Sequence, residues 1–143
     1  MKKRSFLKSL LLILGFSPLK LFPYDNKEKI SFDYGVASGD PTNSHIILWT
    51  KVSKKNKNDI NIKWQVSNDI NFENIIASGS NKSIYSDNFT VKVDAEIPQE
   101  FNGRKLFYRF NYENVYSNIG ITSTLPSNNP RKYNIAFCSC SNY

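Results

Sequence analysis

The stretch INIKWQVS, residues 60–67, decides the fold class of this chain. Every second residue in it is apolar: Ile60, Ile62, Trp64 and Val66. Successive side chains of a β-strand point to opposite faces of a sheet, so a period of two predicts a strand with one buried face. The same alternation recurs in residues 32–36, 89–93 and 106–110.

Short apolar segments separated by turn residues continue along most of the chain. The apolar, β-branched run His45–Val52 predicts a core strand that contains Trp49, and Ile75–Ala77 predicts a short strand ended by Ser78-Gly79. The segment Ser38–Pro41 predicts a turn, because Gly tolerates positive φ and Pro fixes φ. No convincing helical periodicity follows the first 23 residues.

These segments together predict an all-β domain. About seven short strands fall between Phe32 and Leu125, with the turn spacing of a β-sandwich. We therefore expect an immunoglobulin-like or fibronectin type III-like sandwich over residues 30–126. The aromatic share of 14% favours strands, and 143 residues allow one ordinary domain.

The net charge of +7 lies mostly at one end of the chain. Five bases and no acid occur in residues 1–23, which leaves fourteen bases and twelve acids, a balance of +2, for the remainder. The cluster Lys51, Lys54, Lys55 and Lys57 has no interleaved aromatic residues and is interpreted as a solvated hairpin loop. The charge pattern therefore predicts no nucleic-acid partner.

Residues 1–23 have the layout of a secretory signal: a basic start, the apolar run Leu10–Phe16, and a break at Pro18 and Pro23. The apolar run is shorter than the roughly 20 residues that a membrane-spanning helix needs, so no stable membrane span is expected. Lys3–Lys8 resembles a twin-arginine export motif, with Lys3 in place of the first arginine. Export to the periplasm or the cell exterior is predicted, with the general secretory route as the alternative.

The end of the chain differs in character from the sandwich. Residues 127–132 are a linker by composition, rich in Pro, Asn and Ser. The segment Tyr133–Ser139 is apolar on both faces, a pattern typical of strands in α/β sheets that helices cover on both sides. We interpret residues 133–143 as the first strand of a second, α/β domain, and we expect the rest of that domain to be missing from the chain. The alternative is that this segment is an edge strand of the sandwich.

Three stretches of the sequence resemble the PhoD-like phosphatases and phosphodiesterases, the alkaline phosphatase D family. Residues 35–41, GVASGDP, and residues 47–52, ILWTKV, are similar to the family's G-V-A-S-G-D-P turn and L-W-T-R-V strand, with Lys51 in place of the arginine. Residues 139–143, SCSNY, resemble its S-C-x-N-Y/F stretch at the start of the catalytic domain. Leu106 stands where the family usually has a tyrosine, so the tyrosine corner of such sandwiches is expected to be missing or moved to Tyr108.

The resemblance implies an exported hydrolase of phosphate esters. A sandwich domain would precede a metallophosphoesterase domain that holds Fe³⁺ and Ca²⁺, and Cys140 would be one ligand of the iron. A thiolate is a suitable transition-metal ligand, but one thiolate cannot hold the ion alone. The chain by itself is therefore expected to be a scaffold without catalytic or cofactor-binding residues, whose partner is its own missing catalytic domain.

Other reactive residue types have simpler explanations. Cys138 is interpreted as a small buried residue, and His45, the only histidine, as a surface or strand-end residue without a nearby ligand partner. Asp40 is interpreted as a turn residue and not as a catalytic carboxylate. Trp49 and Trp64 are assigned to the core.

A second function remains open at this point. A secreted fibronectin-like module that binds glycans or a partner protein, without enzymatic activity, would have the same fold, because fold alone does not determine function.

Overall fold

The computed structural model describes residues 29–126 of the chain, which form eight strands and two short 3-10 turns. The strands are β1 Val36–Gly39, β2 His45–Lys51, β3 Ile60–Ser67, β4 Ile75–Ser83, β5 Thr90–Glu96, β6 Leu106–Tyr112, β7 Val115–Tyr116 and β8 Gly120–Thr122. The 3-10 turns are Tyr85–Asp87 and Gln99–Phe101. The predicted all-β class is confirmed.

The strands form two antiparallel sheets. One has the order β1-β2-β5. The other has the order β4-β3-β6, and both β7 and β8 pair with β6 on the edge opposite β3. Constant immunoglobulin domains place the fourth strand in the sheet of the first, second and fifth strands, whereas β4 pairs with β3 here. The arrangement therefore favours the fibronectin type III-like form of the sandwich.

No helix among residues 29–126 is both long and apolar enough to cross a membrane.

The core lies between the inner faces of the two sheets, and the alternation in the sequence decides which residues enter it. In β6, Leu106, Tyr108 and Phe110 are buried while the residues between them are half-buried. The largest side chains with almost no solvent exposure are Phe110, Ile46, Leu48, Ile62, Ile97 and Leu106. Burying a side chain of this size contributes about 1.5–3 kcal/mol, so this layer is a main source of stabilisation for the sandwich.

The core assignment of Trp49 is wrong, and that of Trp64 holds in part. In β2, Ile46 and Leu48 face inwards, so Trp49 faces outwards and is 39% exposed. Trp64 is half-buried and packs against the core. Its indole ring lies across Gly79 on β4, where an added Cβ would come within 2.7 Å of the ring.

Three strand predictions differ from the structure. Residues 32–36 do not form the predicted alternating strand, because Asp33 and Tyr34 lie in a turn, Gly35 has a φ of 71°, and only Val36 belongs to β1. Gly39 lies in β1, paired with Ile47, and the residue with positive φ in the turn is Asp40, at 49°. Strand β4 continues through Ser78-Gly79 to Ser83, because this glycine makes room for Trp64 and does not end the strand. Strand β7 was not predicted at all.

The sandwich is closed along both of its edges. Asn81 on β4 donates a 3.0 Å hydrogen bond to the Lys92 carbonyl on β5, which joins the two sheets on one side. On the other side, the buried hydroxyl of Tyr108 hydrogen bonds with Ser38 on β1. This contact links the sheets, unlike the local backbone hydrogen bond of a tyrosine corner. Burial raises the pKa of Tyr108, and the bond from Ser38 opposes that effect.

Candidate functional site

The one metal ligand predicted from the sequence, Cys140, lies outside the described residues. The same holds for the signal in residues 1–23, the linker in residues 127–132 and the start of the second domain in residues 133–143. These remain predictions. Within residues 29–126, no three His, Cys, Asp or Glu side chains lie close enough together to hold a metal ion.

The β1–β2 turn, residues 40–44, is held by its own hydroxyl groups. Thr42 Oγ1 accepts hydrogen bonds from the amides of His45, at 2.9 Å, and Ser44, at 3.3 Å. His45 begins β2, as predicted for a strand-end residue, and its Nδ1 lies 2.9 Å from Ser44 Oγ. Asp40 is exposed and adopts the turn conformation predicted for it. Ser44 and His45 are neighbours in the chain at the start of β2, so we interpret the contact between their side chains as part of the turn.

The end of the sandwich sequence returns to this same turn. The amide of Leu125 donates a 2.8 Å hydrogen bond to the carbonyl of Thr42. One residue earlier, Thr124 Oγ1 accepts a 3.1 Å bond from the amide of Gly103. An added Cβ on Gly103 would lie 2.9 Å from Pro126, so the backbone passes closely here. The polypeptide therefore leaves the sandwich beside the β1–β2 turn.

A groove of about 400 Å³ lies on the outer face of the β1-β2-β5 sheet. It is lined by Gly39, Asp40, Ile47, Trp49, Thr90 and Lys92. The Trp49 ring lies close to Gly39, where an added Cβ would make ordinary contact with it, at 3.4 Å. The groove thus combines an apolar floor with carboxylate, hydroxyl and ammonium groups at its border. Its residue types favour contact with another polypeptide over acid–base or metal chemistry.

The lysine cluster lies at the opposite end of the sandwich. Its loop joins β2 to β3, which belong to different sheets, so the predicted hairpin is wrong. Three of these lysines lie over aromatic rings: Lys51 over Tyr34 at 4.4 Å, Lys54 over Phe89 at 5.1 Å and Lys57 over Tyr85 at 5.2 Å. The rings come from other segments of the chain, so the sequence pattern alone could not reveal these cation–π contacts.

Asp69 anchors the β3–β4 loop, a role that the sequence analysis missed. Its carboxylate accepts hydrogen bonds from the amides of Asn71, Glu73 and Asn74 at 2.8–3.2 Å and from Ser67 Oγ at 2.8 Å. The Asn74 amide contributes most to lowering the pKa of Asp69 from 3.8 to about 2, and the effect of burial opposes it. Because donors surround this carboxylate, it serves loop geometry and is not a metal ligand.

We predict that Asp69 stabilises the fold in a pH-dependent way. Its folded-state pKa is depressed, so its contribution is complete above pH 3.8 and is lost as the pH falls towards 2. The Asp69→Asn variant should melt at a lower temperature than the wild type near neutral pH, and the gap should close in acid. Circular dichroism melts from pH 7 to pH 2.5 measure this. Asp87→Asn, which removes a carboxylate that accepts one 3.3 Å bond from Ser86, is the matched control. If the difference in melting temperature between the wild type and Asp69→Asn does not change with pH, then the Asp69 carboxylate does not stabilise the loop in this way.

Comparison with known proteins shows to which family this sandwich belongs. Residues 20–126 match the family model described as "PhoD-like phosphatase, N-terminal domain". The chain belongs to the PhoD-like phosphatase family. Alkaline phosphatase D of Bacillus subtilis (strain 168) is 31% identical over 127 residues, which cover 82% of this chain and 21% of that protein. A solved structure of PhoD superimposes with a TM-score of 0.64 at 31% identity, over 68% of this chain and 20% of the other.

The PhoD comparisons confirm the family inferred from the motifs and the sandwich fold inferred from the strand pattern. The chain spans about a fifth of the length of the PhoD relatives that it matches. Residue 126, where the family match ends, directly follows Leu125, which is bonded to the β1–β2 turn. Residues 35–41 and 47–52, which carried the resemblance, form β1, the turn and β2.

Proposed function

We propose that this chain is the N-terminal portion of an exported PhoD-like alkaline phosphatase/phosphodiesterase that hydrolyses phosphate esters. Its sandwich is a scaffold without catalytic residues of its own. The family match over residues 20–126 carries this proposal, together with the small share of each PhoD relative that the chain covers. The signal-like residues 1–23 support export to the periplasm or the cell exterior, by a twin-arginine-type route.

The residues of the sandwich do not fit a phosphatase metal centre. Within residues 29–126, no three metal-binding side chains lie together. Asp69 already accepts hydrogen bonds from three backbone amides and one hydroxyl group, so its carboxylate is not available to a metal. Cys140 would be the first ligand of an Fe³⁺ and Ca²⁺ centre, with the other ligands supplied by residues that follow it in a longer protein. Bound metals of this kind stabilise charge on phosphoryl oxygens and activate an oxygen nucleophile.

The test uses the product of the complete gene and compares Cys140→Ser with Cys138→Ser. Iron content and hydrolysis of a chromogenic phosphate ester are measured for both. Mutation of residues that only hydrogen bond to metal ligands lowers metal affinity or activity by about 10–100-fold, so loss of a ligand at Cys140 should have at least that effect.

The Cys138→Ser variant should retain both its iron and its activity, since Cys138 is proposed to be a small packing residue. Full iron content and turnover in Cys140→Ser would refute the assignment of the ligand. Metal-dependent hydrolysis by the 143-residue chain itself would refute the scaffold role and the proposal with it.

A further inference from the structure

The outer face of the β1-β2-β5 sheet has an apolar surface that the sandwich does not use. Trp49 projects from the middle of this face with 39% of its surface exposed, and Ile47 lies two residues away on the same side of β2. A large aromatic residue with a neighbouring isoleucine in a concave surface is typical of an interface centre and not of a solvated sheet face.

The border of this groove is polar and carries both signs of charge. Lys92 lies on β5 directly opposite Trp49, and Asp40 lies at the end where the β1–β2 turn begins. An apolar centre with a polar rim is the usual anatomy of an interface between folded units. The border offers a cation and an anion for specific pairing, and the centre offers apolar area.

Part of the outer face of the other sheet is covered by its own side chains, beside a second groove of about 560 Å³ that is lined by polar residues such as Lys63, Gln65 and Ser80. The guanidinium group of Arg109 lies between the rings of Phe72, at 4.0 Å, and Tyr116, at 4.5 Å. Gln65 accepts a 2.9 Å hydrogen bond from Arg109 Nε, which fixes this stack. Within residues 29–126 no cation lies over the ring of Trp49 itself, although Lys51, two residues further on the same side of β2, lies over Tyr34 at 4.4 Å.

The direction in which the polypeptide leaves the sandwich indicates what covers Trp49. The Leu125 amide is bonded to Thr42 in the β1–β2 turn, and Asp40, which borders the groove, lies two residues before Thr42. Leu125 therefore lies near the end of the groove that Asp40 borders. The matched family domain is an N-terminal one and the chain covers only about a fifth of its relatives, so in them a body of polypeptide much larger than the sandwich follows it.

We propose that the outer face of the β1-β2-β5 sheet, centred on Trp49, is the surface on which the catalytic domain beyond residue 126 packs. An apolar side chain of that domain lies against Trp49 and Ile47, and polar groups of it pair with Lys92 and Asp40. Interfaces between domains of one chain typically bury about 600–1,500 Å², more than the groove alone provides, so the contact extends over the sheet face around it. This inference rests on the proposed function.

Hydroxyl-radical footprinting read by mass spectrometry tests the proposal. The complete gene product and the 143-residue chain are oxidised under the same conditions, and Trp49 is compared with Tyr85. Tyr85 is 47% exposed and lies between β4 and β5 at the end of the sandwich away from Leu125. Oxidation of Trp49 should fall several-fold in the complete protein, while oxidation of Tyr85 stays the same.

A Trp49→Glu variant provides a second readout. Because Trp49 is exposed in the sandwich, the variant should leave the melting temperature of the 143-residue chain nearly unchanged. In the complete protein the two domains should melt separately, since the loss of the indole removes the apolar centre of the interface and a carboxylate is costly to bury there, even beside Lys92.

Equal oxidation of Trp49 in both proteins overturns the proposal. Protection of Trp49 that depends on protein concentration in the 143-residue chain also overturns it, in favour of a second copy as the occupant. Absence of any longer gene product contradicts the proposed function instead, so the two failures are distinguishable.

Discussion

Replacement of Phe110 by alanine is expected to lower the free energy of unfolding by about 3–5 kcal/mol, the range found for phenylalanine truncation in packed cores. Phe110 has no solvent-exposed surface, and its ring meets that of Tyr108 edge-on, with 6.4 Å between the ring centroids. It also pairs with Trp64 across β3 and β6. The cavity left by the ring would lie in the core between the two sheets, and incomplete collapse around it adds to the cost.

The matched control for Phe110 is another phenylalanine of the same strand. Phe107 projects from the opposite face of β6 and is half-buried, so Phe107→Ala should cost only about 1 kcal/mol. Urea unfolding of the 143-residue chain, followed by tryptophan fluorescence, measures both values. If Phe107→Ala costs as much as Phe110→Ala, then the assignment of the inner and outer faces of β6 is wrong.

The Gly120→Ala substitution is expected to destabilise the sandwich by about 1–3 kcal/mol, the usual cost of overpacking a core. An added Cβ would lie 2.2 Å from Tyr108 Cζ and 2.6 Å from its Oη. Tyr108 cannot move away, because it is 2% exposed and its hydroxyl group is bonded to Ser38 of the other sheet. The added methyl group must therefore push β8 away from β6 or break the contact between the sheets.

Two further variants separate the clash from a general effect of alanine in a strand. At Gly39 an added Cβ would make ordinary contact with Trp49, at 3.4 Å, so Gly39→Ala should be nearly neutral. In the double variant Gly120→Ala/Tyr108→Leu the ring is absent, and the cost of the alanine should shrink markedly. Additive effects of Gly120→Ala and Tyr108→Leu in urea unfolding would rule out the steric explanation.

Alternating hydrophobicity predicted the strands whose two faces have different surroundings. In β3 and β6 one face meets the core and the other meets solvent or the stack of Arg109, so the period of two is visible in Ile62–Val66 and Leu106–Phe110. Strand β2 lacks this contrast because Ile47 and Trp49 are apolar on its outer face as well. The pattern therefore could not show which way Trp49 points, and the groove was not predicted.

Features that depend on contacts between distant segments could not be predicted from the sequence pattern. Gly79 looked like the end of a strand, but it makes room for Trp64, fifteen residues earlier. The aromatic partners of the lysine cluster come from other strands and loops, so the cluster looked like a bare solvated loop. The role of Asp69 in holding the β3–β4 loop could have been inferred from the Ser67-x-Asp69 spacing, which places a hydroxyl and a carboxylate at the start of a loop.

The family was predictable from the sequence because its signature lies in a contiguous turn and strand. Residues 35–41 and 47–52 are adjacent in sequence and in space, so no distant contact was needed to find them. A metal site is different, since its ligands come from several segments that only the folded catalytic domain brings together. For this reason the assignment of Cys140 remains a prediction from resemblance.

The size of the product that the native host makes tests most directly whether this sandwich is the first domain of a longer phosphoesterase. An antibody raised against residues 29–126 captures the protein, and mass spectrometry gives its intact mass. We expect a mass several-fold larger than the 16.5 kDa of the 143-residue chain. A single stable product of 16.5 kDa or less would mean that the sandwich acts alone, as a binding module and not as part of an enzyme.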